Sequence, residues 1–396
     1  MRVLSVTAQK PCSTGSGVYL TEVVRSLAKM GVSQAVVAGV TREDRVDMPE
    51  GVTVYPVYFS SEKLPYPVVG MSDEMPYTST RYRDMTEEMA GQFKAAFLEV
   101  LDEAIEKENP DIILCHHLYY LTALIRAHYP AKKVYGFCHN TDLRQMESIL
   151  FERNFIRQEI PKLDRIFALQ EAQKEKIKKI YPVSEKQMTV IGTGYNSEVF
   201  KKTGIKLSRK DGKIRMIFAG KITQKKGVKS LLRALNLLDY EKEKIQLILA
   251  GGAGNLVEYE EIKELADGCR YPVVFAGCVT QSRLAELYND CDIFVLPSMY
   301  EGLPLTVIES LACGDRVVMT KLEGIAEWLA DMVPDADIRY VLPPGMKGTD
   351  EPLEEELPAF ERRLAEALRE AIEEKDTKEC DVSRISWQKI AREVIR

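Results

Sequence analysis

The sequence predicts an α/β protein built from two Rossmann-like domains that face each other across a central cleft. Three observations lead to this prediction. Short β-rich runs alternate with amphipathic helices, which is typical of parallel sheets with helices on both faces. The chain has 396 residues, which is enough for two domains. A polar, lysine-rich stretch from Phe200 to Gly212 interrupts the alternation and is expected to be a linker.

The predicted strands fall into two sets, one before and one after this linker. The first set is Arg2–Ala8, Gln34–Val40, Val52–Val57, Ile112–His116, Lys133–His139, Arg165–Leu169 and Met188–Gly192. The second set is Ile214–Gly220, Ile245–Gly251, Val273–Gly277, Ile293–Ser298 and Arg316–Thr320. We therefore expect an N-terminal domain over residues 1–199, a C-terminal domain over residues 200–380 and a final helix over residues 381–396. Open α/β sheets bind ligands at the carboxyl ends of their strands, so the loops that follow the strands are candidate sites.

The bulk composition favours a cytoplasmic globular protein. The net charge of −6 and the isoelectric point near 5.6 argue against a nucleic-acid-binding protein. The eight cysteines are scattered without a CxxC pair, which favours a reducing compartment. The first residues resemble a β-strand rather than a signal peptide, and no apolar run approaches the ~18 residues of a membrane span. A peripheral membrane contact stays open.

The most informative motif extends from Glu301 to Gly314. Pro304 suits the first turn of a helix and Gly314 suits its end, so Glu309 is predicted to lie inside the helix and Glu301 just before it. At ~1.5 Å per residue the two carboxylates are at least ~12 Å apart, which is too far for an acid/base pair and suits the two ends of an elongated ligand. The helix N-terminus between them can bind a phosphate. The pattern predicts a nucleotide-sugar site.

Two further loops are candidates for phosphate contact. Ser13–Gly17 follows the first strand and precedes a helix, and its glycines allow a close approach of the backbone. The full GxGxxG fingerprint is absent because Leu20 takes the third glycine position, so a tight turn is the alternative. Gly220–Gly227 carries three lysines after a strand, and Lys221 directly follows the strand end. The alternative there is a solvated basic loop, in which Lys225 is expected to face solvent.

Histidines mark two more strand ends. His139 follows one predicted strand, and His116 and His117 stand at another, from which they could reach the same cleft. Core packing is the alternative for each of them. No Cys, Asp or Glu stands at a metal-ligand spacing with these histidines. Asp290 and Asp292 imitate a DxD metal motif, but their place between a helix end and a buried strand predicts no metal site.

These residues, in this order, resemble family-4 retaining glycosyltransferases of the two-domain GT-B fold. The most specific part is Val273–Glu327, which contains a Pro-Ser pair, the E-x7-E pattern and an Ala-Cys-Gly triplet. Supporting segments are Gly220–Gly227, Val190–Phe200 and Gly15–Gly17. Ser386–Arg396 resembles the last helix of the family, which crosses back to the N-terminal domain.

The resemblance implies a role for each candidate donor-binding residue. Glu309 would bind the ribose hydroxyls, and Glu301 would bind the hydroxyls of the donor sugar. Lys221, Lys226 and the backbone at the helix start would hold the diphosphate. That helix start comprises Gly302, Leu303, Pro304 and Leu305. The loop of Gly15, Ser16 and Gly17 would close on the diphosphate from the N-terminal domain.

The resemblance also implies a reaction. Such enzymes transfer a sugar from a nucleoside diphosphate to an acceptor hydroxyl with retention of anomeric configuration, and the leaving phosphate helps to deprotonate the acceptor. They generally need no metal ion and no cofactor, because cationic side chains and helix dipoles supply the positive charge. A UDP-sugar is favoured over a GDP-sugar as the donor. His139 would lie near the reacting sugar, so the candidate catalytic residues are Glu301, His139 and Lys226.

The acceptor is expected to bind the N-terminal domain, and its identity as a glycan, a lipid-linked sugar or a small molecule stays open. Residues 56–84 form a long irregular segment rich in Pro, Tyr and Met, which is typical of a functional lid. A packed excursion without function is the alternative. The expected acceptor-binding residues are Tyr66 and Tyr77 in this segment together with His117, Asp142 and Arg144. If the segment only shields the site from water, the loops around His117 and Asp142 carry acceptor recognition.

Two departures from the family pattern concern the donor. Lys221 stands where the family usually has Arg, which removes a bidentate fork. Arg316 stands where the usual Gly-x-Pro-Val-Val has its proline, and Leu322–Ile325 replaces a Gly-Gly pair. Two other functions stay open at this point: a GT-B-fold nucleotide-sugar epimerase and a non-catalytic nucleotide-sugar-binding protein. Transfer of the sugar to a second molecule separates the glycosyltransferase from both.

Overall fold

The computed structural model describes residues 1–11, 13–209, 211–348, 351–374 and 380–396, and it divides into two compact units. The first unit comprises Met1–Gly194 and Ser386–Arg396, and the second comprises Tyr195–Ile385. The boundaries expected after residues 199 and 380 each lie five residues from the observed ones, at 194 and 385. The difference arises because Gly194 packs tightly against Trp387, so both belong to the first unit.

The first unit is a parallel sheet with helices between its strands. In chain order its elements are β1 (Arg2–Thr7), α1 (Gly15–Lys29), β2 (Ser33–Val40), β3 (Thr53–Tyr58), β4 (Val69–Gly70), β5 (Thr80–Arg81), α2 (Glu87–Glu108), β6 (Ile112–His116), α3 (Tyr120–His128), β7 (Lys133–Phe137), α4 (Thr141–Ser148), α5 (Arg153–Glu159), β8 (Arg165–Ala168), α6 (Glu171–Ile180) and β9 (Met188–Val190). The main sheet has the order β3-β2-β1-β6-β7-β8-β9, with parallel pairs throughout. The direction in which the chain adds strands reverses between β1 and β6.

Hydrophobic runs buried on both faces explain why the central strands form. All residues of β6 are buried, and in β1 and β2 every residue after the first is buried. Such continuous burial is typical of parallel strands that are covered by helices on both sides. Burial of one Val, Leu or Ile side chain stabilises the fold by about 1.5–3 kcal/mol. The loops at the carboxyl ends of these strands therefore start from a rigid base.

The segment 56–84, predicted to be a lid, packs largely on the core of the first unit. Its first three residues continue β3 as far as Tyr58, and β4 pairs with β5. Tyr66 is 7% exposed, lies edge-on to Phe59 with ring centroids 5.8 Å apart, and donates a hydrogen bond from its hydroxyl to the Met89 carbonyl at 2.8 Å. Tyr66, one of the aromatic residues that suggested a lid, therefore packs in the hydrophobic core, as the packed-excursion alternative requires.

The second unit repeats the parallel arrangement. Its elements are α7 (Ile205–Ser208), β10 (Ile214–Ala219), α8 (Val228–Asn236), β11 (Ile245–Ala250), α9 (Leu256–Asp267), β12 (Val273–Gly277), α10 (Gln281–Asp290), β13 (Ile293–Leu296), α11 (Leu305–Ala312), β14 (Arg316–Thr320), α12 (Ile325–Met332), β15 (Ile338–Val341), β16 (Met346–Lys347), β17 (Glu351–Pro352) and α13 (Leu357–Glu373). The main sheet has the order β12-β11-β10-β13-β14-β15, again with parallel pairs. Here the chain order reverses between β10 and β13.

The predicted strands are all present, and their ends differ from the prediction by at most two residues. The run predicted to reach His139 ends at Phe137, and the run predicted to reach Ser298 ends at Leu296. Strand β15 was not predicted. Its four residues are mostly half-buried at the edge of the sheet, and they follow two aspartates, so the sequence shows neither alternation nor a continuous apolar run there. Lys210, within the expected linker, lies outside the described residues.

The final helix, α14 (Trp387–Val394), belongs to the first unit. This agrees with the expectation that the last helix crosses back to the N-terminal domain. Trp387 is 3% exposed and lies edge-on to Tyr19 of α1, with ring centroids 4.8 Å apart. Arg165 pairs with the Glu393 carboxylate and donates to the Glu393 carbonyl at 3.0 Å. Apolar packing and an ion pair therefore fasten both ends of α14. In the described part of the chain, α14 included, no helix is long and apolar enough to cross a membrane.

Replacement of Gly194 by Ala should destabilise the first unit. A Cβ at Gly194 would lie 2.4 Å from the Trp387 indole and 2.5 Å from the Trp387 backbone nitrogen, and backbone cannot move aside as a flexible side chain can. Overpacking of this kind costs about 1–3 kcal/mol. Gly91→Ala is the matched control, because a Cβ at this position in α2 meets nothing within 4 Å.

Alanine at an open helical position should stabilise by about 0.5–1 kcal/mol relative to glycine. Thermal unfolding of the two variants should therefore shift in opposite directions from the wild-type transition. A Gly194→Ala protein as stable as wild type would show that the contact between residue 194 and α14 is loose.

Candidate functional site

In the second unit, two loops that carry predicted donor-binding residues meet where the strand order reverses. The first loop follows β10 and contains Lys221 and Lys226, and the second follows β13 and contains Glu301. Lys226 Nζ lies 2.6 Å from Glu301 Oε1, and both side chains are half-buried. Open α/β sheets bind ligands at such a reversal, because neighbouring connections leave the sheet on opposite faces. The structure thus brings together a cation and a carboxylate that are 75 residues apart in the sequence.

Backbone constraints in these two loops determine which lysine meets Glu301. The Met299 N–H donates to the Lys225 carbonyl at 2.9 Å and ties the loops together. The buried Thr223 accepts a hydrogen bond from the Lys226 N–H at 3.3 Å through its hydroxyl. Gly227 has φ +74, and a Cβ there would lie 2.0 Å from the Pro297 carbonyl oxygen, so only glycine fits. Lys225, expected to face solvent, is half-buried.

Helix α11 carries Glu309 as predicted, although it starts one residue later than expected. Pro304 precedes the helix as its N-cap residue rather than lying in the first turn, and Leu305 is the first helical residue. Leu303 and Glu309 are buried, at 8% and 6% exposure, while Gly302 is half-buried. Gly314 adopts φ +84 and ends the helix, with hydrogen bonds from the N–H groups of residues 314 and 315 to the carbonyls of 311 and 310.

In the first unit, the glycine-containing loop meets the first histidine loop at the equivalent position. Gly15 is the first residue of α1, and Thr14 caps the helix by accepting the Gly17 N–H at 3.2 Å. Ser16 Oγ lies 3.1 Å from His117 Nε2. The loops concerned follow β1 and β6, which are the two strands between which the order reverses. The loop is therefore a tight turn that caps a helix, which was the alternative to a phosphate-binding loop. It is also part of a polar cluster.

Three of the four histidines of the first unit form one connected cluster. His116 Nδ1 lies 3.1 Å from His139 Nε2, and the centroids of the His117 and His139 rings are 4.8 Å apart. Burial lowers the pKa of His139 to about 3 and holds the pKa values of His116 and His117 well below their usual range. All three imidazoles are therefore neutral at pH 7. His116 and His117 are buried, whereas His139 is half-buried.

Asp142, predicted to bind the acceptor, is fully buried and forms hydrogen bonds to the backbone of two loops. It has 0% exposure and accepts hydrogen bonds from the Leu118 N–H at 2.7 Å and the His139 N–H at 3.3 Å. Its side chain therefore connects the loop after β6 with the loop after β7. Burial raises its pKa, while these N–H groups oppose the rise. The sequence reasoning missed this role because both partners come from loops that only the folded sheet makes adjacent.

The other predicted acceptor-binding residues do not form a single surface. Tyr66 lies in the core, as described above. Tyr77 is half-buried beneath Lys10, whose Nζ lies 4.9 Å from its ring centroid. Arg144 is 8% exposed and donates to Asp73 Oδ2 at 2.9 Å, and Arg83 binds the other Asp73 oxygen at 2.7 Å. The Arg144–Asp73 pair holds the middle of the 56–84 segment against α4, whereas the Arg83–Asp73 pair lies within the segment.

The DxD-like aspartates are bound to arginines. Asp292 pairs with Arg209 and accepts the Arg215 N–H at 2.9 Å, and Asp290 lies 3.4 Å from Arg215 Nε. These contacts fit the predicted role at a helix end and a strand start. Within the described ranges, no group of three or more His, Cys, Asp or Glu side chains converges as a metal site would require.

A buried ion pair follows the carboxyl end of α11. It lies in the segment where the sequence departs from the Gly-x-Pro-Val-Val pattern of the family. Asp315 Oδ1 lies 2.5 Å from Lys206 Nζ, and Lys206 also donates to the Cys313 carbonyl at 3.2 Å. Burial raises the pKa of Asp315 to about 7, and the lysine opposes this rise. Arg316, which stands in place of the usual proline, donates to the Ala371 carbonyl at 3.3 Å. These residues fasten the carboxyl end of the helix that carries Glu309.

Two residues that shape the clusters were not found from the sequence. Tyr19 is 2% exposed, donates to the Gly192 carbonyl at 3.1 Å and packs edge-on to His139. Thr223 holds the Lys226 backbone, as described above. Tyr19 lies in the amphipathic helix α1, and Thr223 lies inside the Gly220–Gly227 loop, whose lysines and glycines, not its threonine, carried the prediction. The local sequence around each residue offers one weak signal of its role. Each is a polar or aromatic residue that follows a strand end rich in glycine or lysine.

Two family models together match most of the chain. The model described as Glycosyltransferase Family 4 matches residues 13–199, and the model described as Glycosyl transferases group 1 matches residues 200–351. The chain therefore belongs to the family-4 glycosyltransferases of the GT-B fold. The resemblance seen in its sequence motifs is confirmed.

Individual relatives are distant. The α-maltose-1-phosphate synthase of Mycobacterium tuberculosis is 24% identical over 253 residues, which is 58% of this chain and 61% of that protein. The chain spans about half the length of the curated relatives it matches. Sucrose-phosphate synthase from Thermosynechococcus elongatus has the same fold, with a TM-score of 0.70 at 16% identity over 100% of this chain and 97% of that one. Anabaena Alr3699/HepE in complex with UDP-glucose gives 0.63 at 15% identity, over 100% and 98%.

Acid should destabilise the first unit through its buried histidines. The folded-state pKa values of His116, His117 and His139 lie below the unfolded value of about 6.5. Below about pH 6.5 the unfolded chain binds protons that the folded unit excludes, so the free energy of unfolding falls as the pH falls. Each histidine contributes up to about 1.4 kcal/mol per pH unit. The raised pKa of Asp142 acts in the opposite direction, so the test compares variants.

His116→Phe should reduce the proton uptake on unfolding by about one between about pH 6 and pH 4. Urea unfolding at a series of pH values measures this uptake as the slope of the free energy of unfolding. His128→Gln is the control because His128 lies exposed at the end of α3, with a 44% exposed side chain. An unchanged slope in His116→Phe would mean that His116 is already charged in the folded protein.

Proposed function

We propose that this chain is a retaining glycosyltransferase that moves a sugar from a nucleoside-diphosphate donor to an acceptor hydroxyl without a metal ion. The observation that carries the proposal is the Lys226–Glu301 pair at the strand-order reversal of the second unit, 2.6 Å apart. Glu301 of this pair lies in the loop that leads into α11, whose start offers backbone N–H groups and whose body carries Glu309. A cation, a helix start and two carboxylates suit a diphosphate with sugar hydroxyls at both ends.

The donor-binding roles follow from chemistry and distance along the chain. Glu309 lies four residues into α11 and would accept hydrogen bonds from ribose hydroxyls. Glu301 would accept hydrogen bonds from the donor sugar, and the diphosphate would replace Glu301 as the main partner of Lys226. Lys221 and the backbone of residues 302–305 would complete the diphosphate site. The UDP-glucose complex of Anabaena Alr3699/HepE supports a UDP-sugar as the donor.

Charge development in the reaction explains why a fixed cation is needed. Negative charge grows on the leaving diphosphate as the sugar–phosphate bond breaks. A lysine held by its backbone interacts more strongly with this growing charge than with the bound donor, and this difference lowers the barrier. The same phosphate oxygen can accept the proton of the acceptor hydroxyl on the face from which it leaves, so the sugar keeps its anomeric configuration.

Metal independence is part of the proposal. Lysine side chains and the start of α11 supply positive charge at the proposed diphosphate position. Asp290 and Asp292, the only DxD-like pair weighed as a metal site, are bound by Arg209 and Arg215. A divalent cation there would have to displace both arginines.

A label-transfer assay tests the proposed function. A panel of nucleotide-sugars is first screened by thermal shift, since a donor at 100 times its Kd stabilises by roughly 2.7 kcal/mol. The binding donor, labelled in its sugar, is then incubated with candidate acceptors, with and without EDTA. We expect label on a second molecule, with unchanged anomeric configuration and with unchanged rate in chelator.

Three outcomes contradict parts of this proposal. Conversion of the donor sugar without an acceptor would favour an epimerase. Donor binding without turnover across the acceptor panel would favour a binding protein. Loss of turnover in EDTA that Mn²⁺ or Mg²⁺ restores would exclude metal independence.

Lys226→Ala should lower kcat by ~10²–10³ while donor KM changes much less, because the lysine stabilises charge that is fully developed only in the transition state. Steady-state kinetics with the identified donor measure both constants. Lys229→Ala is the matched control, since this α8 lysine pairs with Glu261 at 2.6 Å and lies outside the loop. Equal kcat in Lys226→Ala and wild type would transfer the proposed role to Lys221 or Lys225.

Glu309→Gln should weaken the binding of UDP itself by roughly 10- to 100-fold, because a charged acceptor of two ribose hydrogen bonds is lost in ground and transition states alike. Calorimetry with UDP measures this loss without any need for an acceptor. Glu286→Gln, an exposed α10 carboxylate paired with Arg283, is the control. If Glu309→Gln binds UDP as tightly as wild type, the ribose assignment is wrong.

A further inference from the structure

The His116–His139 pair in the first unit has a geometry that restricts where its protons lie. His116 Nδ1 and His139 Nε2 are 3.1 Å apart, and the two ring planes differ by 11°. The ring centroids are 5.3 Å apart, farther than in face-to-face stacking, so the two nitrogens lie on facing edges, as in an in-plane hydrogen bond. His116 also lies face to face with Phe137, with ring centroids 4.8 Å apart. These contacts therefore fix the orientation of the two imidazole rings relative to each other.

A single proton lies between the two rings. Burial lowers the pKa of both imidazoles, that of His139 to about 3, so both are neutral at pH 7. A neutral imidazole has one donor nitrogen and one acceptor nitrogen. The hydrogen bond consequently has two forms, with either His116 or His139 as the donor. Each form fixes the tautomer of both rings.

The second nitrogen of His116 decides between these forms. His116 Nε2 is buried, and no hydrogen-bond partner reaches it from the residues that the structure describes. If His139 were the donor, this nitrogen would carry a proton. A buried N–H without an acceptor is rarer and costlier than a buried lone pair without a donor. The form of lower cost has the His116 proton on Nδ1, donated to His139 Nε2.

We propose that His116 is a positioning residue that fixes His139 in the tautomer with its proton on Nδ1. His139 then presents a hydrogen-bond donor at that nitrogen. The consequence for catalysis rests on the proposed function and on the place near the transferred sugar that the family resemblance implies for His139. His139 donates to a sugar oxygen and does not take the proton of the acceptor hydroxyl, which passes to the leaving phosphate instead.

Neighbouring side chains hold this arrangement without competing for the shared proton. Tyr19 packs edge-on to His139 with centroids 5.2 Å apart, but its hydroxyl donates to the Gly192 carbonyl. His117 has its own partners, Ser16 Oγ at 3.1 Å and Thr141 Oγ1 at 3.5 Å. The His139 backbone N–H is held by Asp142. Within these contacts, His116 is the residue that bonds His139 Nε2.

Nitrogen NMR of the full chain tests the proposal directly. With nitrogen-15-labelled histidine, two-bond proton–nitrogen correlations near neutral pH show which nitrogen of each ring carries the proton. The chain has four histidines, and single His→Gln replacements assign their signals. We expect a protonated Nδ1 and an unprotonated Nε2 for His139 in the wild-type protein. A proton on His139 Nε2 would overturn the proposal, and this result is read from the spectrum of the wild-type protein.

His116→Phe separates a positioning role from a packing role. Phenylalanine keeps a ring against Phe137 but has no N–H, so the His139 proton should redistribute towards Nε2. His128→Gln is the control and should leave the His139 signals unchanged. Unchanged His139 signals in a folded His116→Phe protein would overturn the proposal.

Kinetics distinguish failure of this inference from failure of the proposed function. His116→Phe should lower kcat for transfer roughly tenfold with little change in donor KM, because one transition-state hydrogen bond is weakened. If the tautomer is as expected and wild type transfers no sugar, the proposed function fails and the tautomer assignment stands. If transfer occurs and His116→Phe keeps the wild-type kcat, donation by His139 to the sugar is overturned.

Discussion

The candidate clusters of both units depend on one constraint, the reversal of strand order at the centre of each parallel sheet. At this reversal neighbouring connections leave the sheet towards opposite faces, which leaves a crevice above the strand ends. Side chains from the two loops beside the crevice can then contact each other. Ser16 and His117 meet at the reversal of the first sheet, and Lys226 and Glu301 meet at that of the second. Buried hydrophobic strands fix the position from which each loop starts. Local chemistry then decides what each loop can bind.

The two reversals carry different electrostatics despite their common geometry. In the second unit a lysine and a glutamate face each other half-buried, which suits a charged ligand. In the first unit three imidazoles are kept neutral by burial, and the carboxylate of Asp142 is enclosed by backbone N–H groups. Neutral donors and acceptors suit hydroxyl groups better than phosphates. Under the proposed function, the second unit would bind the diphosphate and the first unit would bind hydroxyl groups.

The sequence predicted elements whose signals are local. Gly314 marked the end of α11 because only glycine readily takes its positive φ, and the strands appeared as apolar runs. The burial of Asp142 and Tyr66 was not predicted, since a carboxylate after a strand end and a tyrosine in an irregular segment look the same in sequence whether they face a ligand or the interior. The Lys226–Glu301 contact could be suspected from the motifs. The 2.6 Å distance between the two side chains depends on β10 and β13 being neighbours in the sheet. No local sequence pattern encodes that strand order.

Tight packing of the final helix has a spectroscopic consequence. The chain contains two tryptophans, Trp328 in α12 of the second unit and Trp387 in α14 of the first. Trp387 is 3% exposed against Tyr19, so release of α14 would transfer its indole from an apolar to an aqueous environment. Each unit thus has its own intrinsic fluorophore. Emission from single-tryptophan proteins would follow the unfolding of each unit separately, without any added dye.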